Sequence, residues 1–167
     1  MYLINCFFVF SIFGYLIETI VSKIFGFGFS SGILFGPWTP IYGLGCILII
    51  LISKKLFLNL HMKRIYETII VFFVVAVALT ILEWLGGVLI EEIFGITFWS
   101  YDNLPLHIGK YISVEMSILW GALSIIFIYL IKPKADIIIN KIPKVITVII
   151  SLLFIVDVVY TICSKYN

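Results

Sequence analysis

Five long apolar runs constrain what this chain can fold into more than any other feature. Four of them approach or exceed the roughly 20 residues that an α-helix needs to cross about 30 Å of hydrocarbon. The second is long enough if its helix begins near Pro40 and continues to Leu58. Because lipid offers no partners for backbone N–H and C=O groups, each crossing must be helical. The runs are Tyr2–Ser22, Ile41–Ser53, Thr68–Leu89, Tyr111–Ile131 and Val145–Cys163.

The composition agrees with this interpretation, because 63% of the residues are hydrophobic and only 12% are charged. Soluble domains carry about 25% charged residues. We therefore predict an all-α integral membrane protein of about five transmembrane helices, with residues 1–167 forming a single membrane domain. Cys6, Cys46 and Cys163 lack CxxC spacing, so neither a disulfide framework nor a zinc site is expected. No cofactor motif is present, and nothing indicates nucleic-acid binding.

Basic residues predict the orientation of the helices. Cytoplasmic loops of membrane proteins hold the excess of Lys and Arg, and eight of the 11 basic residues lie in two connections. Both connections should be cytoplasmic, which places the N-terminus inside and the C-terminus outside. The eight residues are Lys54, Lys55, Lys63, Arg64, Lys132, Lys134, Lys141 and Lys144.

Two similar segments predict an internal repeat. IFGFGFSS at 24–31 and IFGITFWS at 93–100 each follow a helix with a glutamate in its outer part. We predict a parallel tandem repeat of two helix-loop-helix units, about 2–58 and 65–132, plus an extra helix at about 143–164. Such repeats often enclose a site between their halves. Chance similarity of two aromatic interface segments is the alternative.

Four carboxylates lie within the apolar runs, where each costs about 2.5–3.5 kcal/mol on insertion scales. They are accompanied at helical spacing by small or hydroxylated residues, which favour packing of helix on helix. The spacing predicts an outward-facing acidic pocket in the outer half of the membrane. The alternative is hydrogen-bonded acids that only join helices. The four are Glu18, Glu83, Glu115 and Asp157.

The stretch GPWTPIYG at 36–43 is predicted to be an external loop that leads into the second helix. Its prolines and glycines shape the turn, and its aromatic residues would cover the acidic site together with the second loop, Trp99–His107. A plain interfacial turn is the alternative. The loop-structural residues are Gly36, Pro37, Pro40 and Gly43. The predicted substrate-binding residues are the four carboxylates with Trp38, Tyr42, Trp99, Tyr101 and His107; no catalytic residue is assigned.

Several segments also carry a family resemblance. GYLIET at 14–19, FSSGILFGPWTPIYGLG at 29–45, FWSYDNLP at 98–105 and LWGALSIIFIYLIKP at 119–133 resemble the ABC-transporter permease family labelled CmpB. The resemblance covers residues 14–133 and implies a multi-pass protein of the bacterial cytoplasmic membrane. It also implies that Glu18 and Glu83 occupy acidic positions of the family.

The sequence is compatible with three functions. The favoured one is a transport component, permease-like or substrate-binding, embedded in the lipid bilayer and working as a homo-oligomer or with a separate ATPase, because no Walker A loop is present. The second is a membrane enzyme that uses Glu18, Glu83 or Glu115 as acid and base at the outer leaflet. The third is an accessory protein that packs against other membrane proteins.

Overall fold

The computed structural model describes residues 1–25, 32–59 and 62–166 of the chain. Within them, five helical segments are long and apolar enough to cross a membrane, and the prediction of an all-α membrane protein with five spans is confirmed. The helices are α1 (Tyr2–Phe25), α2 (Pro40–Asn59), α3 (Arg64–Phe94), α4 (Val114–Ile126), α5 (Lys132–Ile139) and α6 (Lys144–Tyr166).

Large apolar side chains remain exposed on the spans, as lipid contact requires. Phe73 and Val77 of α3 are 62% and 60% exposed, and Val145 and Val156 of α6 are 68% and 66% exposed. By contrast, buried positions of α3 include the small residues Ala76 and Gly87. Small side chains therefore face neighbouring helices, where they permit close packing.

The fourth span is longer than its apolar run and contains a π-helical turn. It runs Val114–Ile139, and within it α4 leads through the turn Phe127–Ile131 into α5. Pro133 follows this turn; it has no N–H, and its ring crowds the carbonyl four residues earlier, which disfavours a regular α-helical ladder. The helix continues beyond Pro133 to Ile139, so the first part of the connection that the sequence places between Ile131 and Val145 is helical.

A short hairpin delays the start of α4 relative to the predicted run, which began at Tyr111. Strand β1 (His107–Ile108) pairs antiparallel with β2 (Ile112–Ser113). Ser113 ends the hairpin and caps α4, because its hydroxyl accepts the Met116 N–H at 3.4 Å. Serine is among the preferred residues at this position.

One compact unit comprises Met1–Ile47 and Asp136–Asn167. In it α1 packs against α6. The rings of Phe8, Trp38 and Phe154 meet edge to face, with centroids 5.6–6.4 Å apart. This aromatic cluster joins the two helices to the segment before α2.

The other compact unit, Leu48–Ala135, is built on the packing of α3 against α4. The hydroxyls of Thr80 and Ser117 lie 2.7 Å apart and hydrogen-bond across the two helices. A Cβ on Gly121 would lie 2.8 Å from the Phe72 ring, so the missing side chain makes room for that ring.

The tandem repeat stays a prediction. Residues 26–31 of its first copy lie outside the described residues. The second copy covers the end of α3 and the segment without regular secondary structure that follows Gly95.

Candidate functional site

Asp157 of α6 is bound by the loop that precedes α2. Its Oδ2 accepts the Gly36 N–H at 2.8 Å and the Trp38 Nε1–H at 2.6 Å. Its Oδ1 accepts the Phe35 N–H at 3.1 Å and the Thr161 hydroxyl at 3.2 Å. Four donors therefore surround one carboxylate, and three of them come from the loop.

Gly36 and Pro37 set the path of this loop. The Trp38 N–H donates to the Gly36 carbonyl at 2.9 Å, which closes a three-residue turn with Pro37 at its centre. A Cβ on Gly36 would lie 2.5 Å from Cε2 of Trp38. Any larger residue at position 36 would clash with the Trp38 indole, so the indole can reach Asp157 only if residue 36 is a glycine. Pro40 then begins α2. The N–H of a first helical residue has no partner within the helix, so proline loses no hydrogen bond at this position.

Glu18 of α1 faces the start of α2. The side chains of Tyr42 and Thr39 are both hydrogen-bond partners of its carboxylate. A Cβ on Gly14 would lie 2.8 Å from Cβ of Tyr42, and one on Gly43 would lie 2.5 Å from a backbone carbonyl oxygen of α1. The two glycines let the helices approach closely enough for the carboxylate to reach its partner.

Glu83 of α3 is buried, with 8% of its surface exposed. The Tyr101 hydroxyl donates to its Oε1, and the Trp120 Nε1–H donates to its Oε2 at 2.9 Å. Tyr101 belongs to the predicted set, whereas Trp120 was missed. The position of this tryptophan within an apolar run could have indicated its role, because a buried indole N–H usually needs an acceptor.

A second polar cluster in the same unit was also missed. The Lys110 ammonium lies 2.5 Å from Oε1 of Glu91, and the Tyr111 hydroxyl donates to Oε2 at 2.6 Å. The hydrogen bond to Glu91 raises the pKa of Lys110. Burial, followed by the bond to Glu91, raises the pKa of Tyr111. Lys110 therefore stays charged, and Tyr111 neutral, throughout the physiological pH range.

Trp99 packs against this cluster. Its ring meets the Tyr111 ring at a centroid distance of 5.8 Å. Its buried Nε1 has no hydrogen-bond partner among the described residues. The structure thus places Trp99 with Tyr111, a residue outside the predicted set.

Glu115 and His107 lie near the hairpin. Glu115, in the first turn of α4, accepts the Leu106 N–H at 3.0 Å and the Ser113 hydroxyl at 2.6 Å. His107 is exposed, with its Nδ1 3.9 Å from Oδ1 of Asp102. Glu115 therefore ties the chain before the hairpin to the helix start.

The predicted residues thus fall into separate clusters within their units. Asp157 is joined to Trp38, Glu18 to Tyr42, and Glu83 to Tyr101. Within residues 1–25, 32–59 and 62–166, no three His, Cys, Asp or Glu side chains form a group that could hold a metal ion.

Comparison with known proteins gives one match. A model of the family described as "Putative ABC-transporter type IV" matches residues 5–162 of the 167. No curated protein and no solved structure matches the chain. The match spans all five helical segments.

Proposed function

Because the chain belongs to this ABC-transporter type IV family, we propose that it is a permease-like or substrate-binding subunit that works with a separate ATPase. Five apolar helices and the family together fit a membrane transport component. The chain itself has no Walker A sequence, so ATP hydrolysis requires another subunit. We further propose that copies of the subunit associate.

The observation that carries the proposal is the placement of carboxylates inside the spans. Glu18, Glu83 and Asp157 each lie on a helix long enough to cross the membrane, and each is held by an aromatic side chain. A carboxylate within a membrane span is costly, and such residues mark substrate and ion pathways in membrane proteins. This supports an acidic site that takes a cationic solute from outside.

We propose different roles for different carboxylates. Asp157, which lies in the same compact unit as Glu18, is occupied on both oxygens by donors from the chain, so we assign it to the framework of the site. Glu18 with Tyr42 is the pair we assign to the solute. Glu115, one of the three carboxylates named in the enzymatic alternative, is likewise occupied by Leu106 and Ser113.

The ATPase partner can be tested by photo-crosslinking in membranes. We propose that the predicted cytoplasmic connections, Leu56–Arg64 and Ala135–Lys141, contact it; residues 60 and 61 lie outside the described residues. A photoreactive residue placed at exposed Lys141 should give an adduct with an ATP-binding protein. The same residue at exposed Asn103 should give none. If neither position yields such an adduct in native membranes, the partnership is wrong.

The proposed orientation requires that the N-terminus is inside and the C-terminus outside. Cys163 is exposed, whereas Cys6 and Cys46 are buried, so Cys163→Ser removes the accessible thiol before labelling. In that background, Asn103→Cys should react with a membrane-impermeant maleimide in intact cells, and Lys63→Cys only after the cells are broken. The reverse pattern would invert the proposed sidedness.

A further inference from the structure

An apolar groove lies between the first halves of α1 and α6, within one compact unit of the chain. Its volume is about 320 Å³, and its wall is almost entirely apolar. Side chains of α1, of α6 and of the end of α5 form this wall, so the groove has the chemistry to hold hydrocarbon. They include Val9, Ile12, Ile138, Ile146 and Ile150.

Two buried polar residues of the lining bond to the protein itself. The Thr147 hydroxyl donates to Oδ1 of Asn5 at 2.6 Å, and the Asn5 amide donates to the Ile139 carbonyl at 3.5 Å. Both bonds lie where α1 and α6 begin, and they join the starts of the two helices. Because these polar groups are engaged within the protein, the groove favours an apolar occupant.

The depth of the groove matches one leaflet of a membrane. It extends from Lys141, in the connection before α6, to Ile12 and Ile150. Ile12 lies ten residues after Tyr2, the first residue of α1, which is about 15 Å at 1.5 Å per residue. The hydrocarbon core is about 30 Å thick, so the groove spans the depth of one layer of acyl chains.

Two lysines lie at the end of the groove where both helices begin. Lys141 lines it, Lys144 is the first residue of α6, and both are exposed. Among the residues that the structure describes, neither lysine forms an ion pair. Under the proposed orientation this end faces the cytoplasm, where the leaflet carries anionic lipids. An apolar wall alone does not distinguish lipids, because all acyl chains are apolar, so the lysines supply the selectivity.

We propose that this groove binds an anionic phospholipid of the cytoplasmic leaflet. One acyl chain lies against Val9 and Ile146, and the headgroup phosphate lies at Lys141 and Lys144. Charge complementarity favours this occupant over a second copy of the chain, because a symmetric dimer through the groove would bring the lysines of both copies together. The inference goes beyond the proposed transport function and depends neither on the ATPase nor on the solute site.

Native mass spectrometry of the purified full chain tests the site by counting bound lipids. The protein in detergent is titrated with phosphatidylglycerol, which is anionic, and with phosphatidylcholine, which has no net charge. We expect phosphatidylglycerol to bind about tenfold more tightly or better. Lys141→Gln and Lys144→Gln should each weaken its binding about fivefold and leave that of phosphatidylcholine unchanged. Lys134→Gln is the matched control, because Lys134 is exposed in the same basic connection but lies outside the groove lining.

A second pair of variants tests the shape of the groove. Val9→Trp should weaken binding of both lipids, because the indole would fill the groove. Val148→Trp, at an exposed position of α6 outside the lining, should not. The lysine variants, which change exposed side chains, carry the test if Val9→Trp does not fold.

Three results would overturn the lipid site: equal affinity for the two lipids, equal losses in Lys134→Gln and Lys141→Gln, or full phosphatidylglycerol binding by Val9→Trp. A dimer that excludes phosphatidylglycerol would also overturn it, and would show that a second copy fills the groove. No ATPase is present in this experiment, so its failure and the failure of the proposed ATPase partnership are distinguishable.

Discussion

Asp157→Ala should lower the free energy of unfolding by about 2–4 kcal/mol, because it leaves several donors without their acceptor. The N–H groups of Phe35 and Gly36 and the indole of Trp38 all donate to this carboxylate. Hydrogen bonds to a charged group contribute about 1.5–3 kcal/mol each in favourable settings. We take less than the sum because Phe35 is exposed and its amide can find other partners.

The measurement is denaturant unfolding in mixed micelles, with amide hydrogen exchange as the local readout. Exchange at Phe35 and Gly36 should accelerate in Asp157→Ala, since their acceptor is gone. Val156→Ala is the control, because this neighbour on α6 is 66% exposed and should change neither quantity. Unchanged exchange at the two amides would show that Asp157 does not anchor the loop.

Glu83→Ala should lower the free energy of unfolding by about 3–5 kcal/mol. This is the largest effect that we expect in the unit Leu48–Ala135. The substitution opens a cavity at a buried position and removes the acceptor that Glu83 offers to the Tyr101 hydroxyl and the Trp120 indole N–H. A buried donor left without its acceptor costs about 1–3 kcal/mol, and the cavity adds to this cost. Glu83→Gln should cost less, because its amide keeps one acceptor oxygen but turns a donor toward the other partner.

Glu92→Ala is the control for this prediction, because Glu92 lies on the same helix and is exposed. A double-mutant cycle with Tyr101→Phe isolates the pair: the two changes should be less than additive, since each removes the same bond. Equal costs for Glu83→Ala and Glu92→Ala, or full additivity in the cycle, would contradict the role assigned to Glu83.

Single side chains show how far sequence reasoning reached toward the site. The sequence predicts a role for Asp157 because a carboxylate within an apolar run is costly, and for Tyr101 because it lies in an aromatic loop. Their partners were harder to foresee. Trp120 contacts Glu83 across 37 positions of the chain, and Gly36 contacts Asp157 across 121. Neither pairing has a local signal, because contacts between helices depend on rotation and depth and not on spacing along one chain segment.

The sequence by itself determined that this is a helical membrane protein, because five apolar runs in lipid have no other way to satisfy their backbone groups. It determined the start of α2 as well, since Pro40 suits the first helical position. Only the tertiary structure decided which oxygens are occupied. Glu18 and Glu83 look alike in the sequence, yet Glu18 meets the side chains of Tyr42 and Thr39, whereas Glu83 meets those of Tyr101 and Trp120. That difference depends on which donors the packing of helices and loops brings within hydrogen-bond distance.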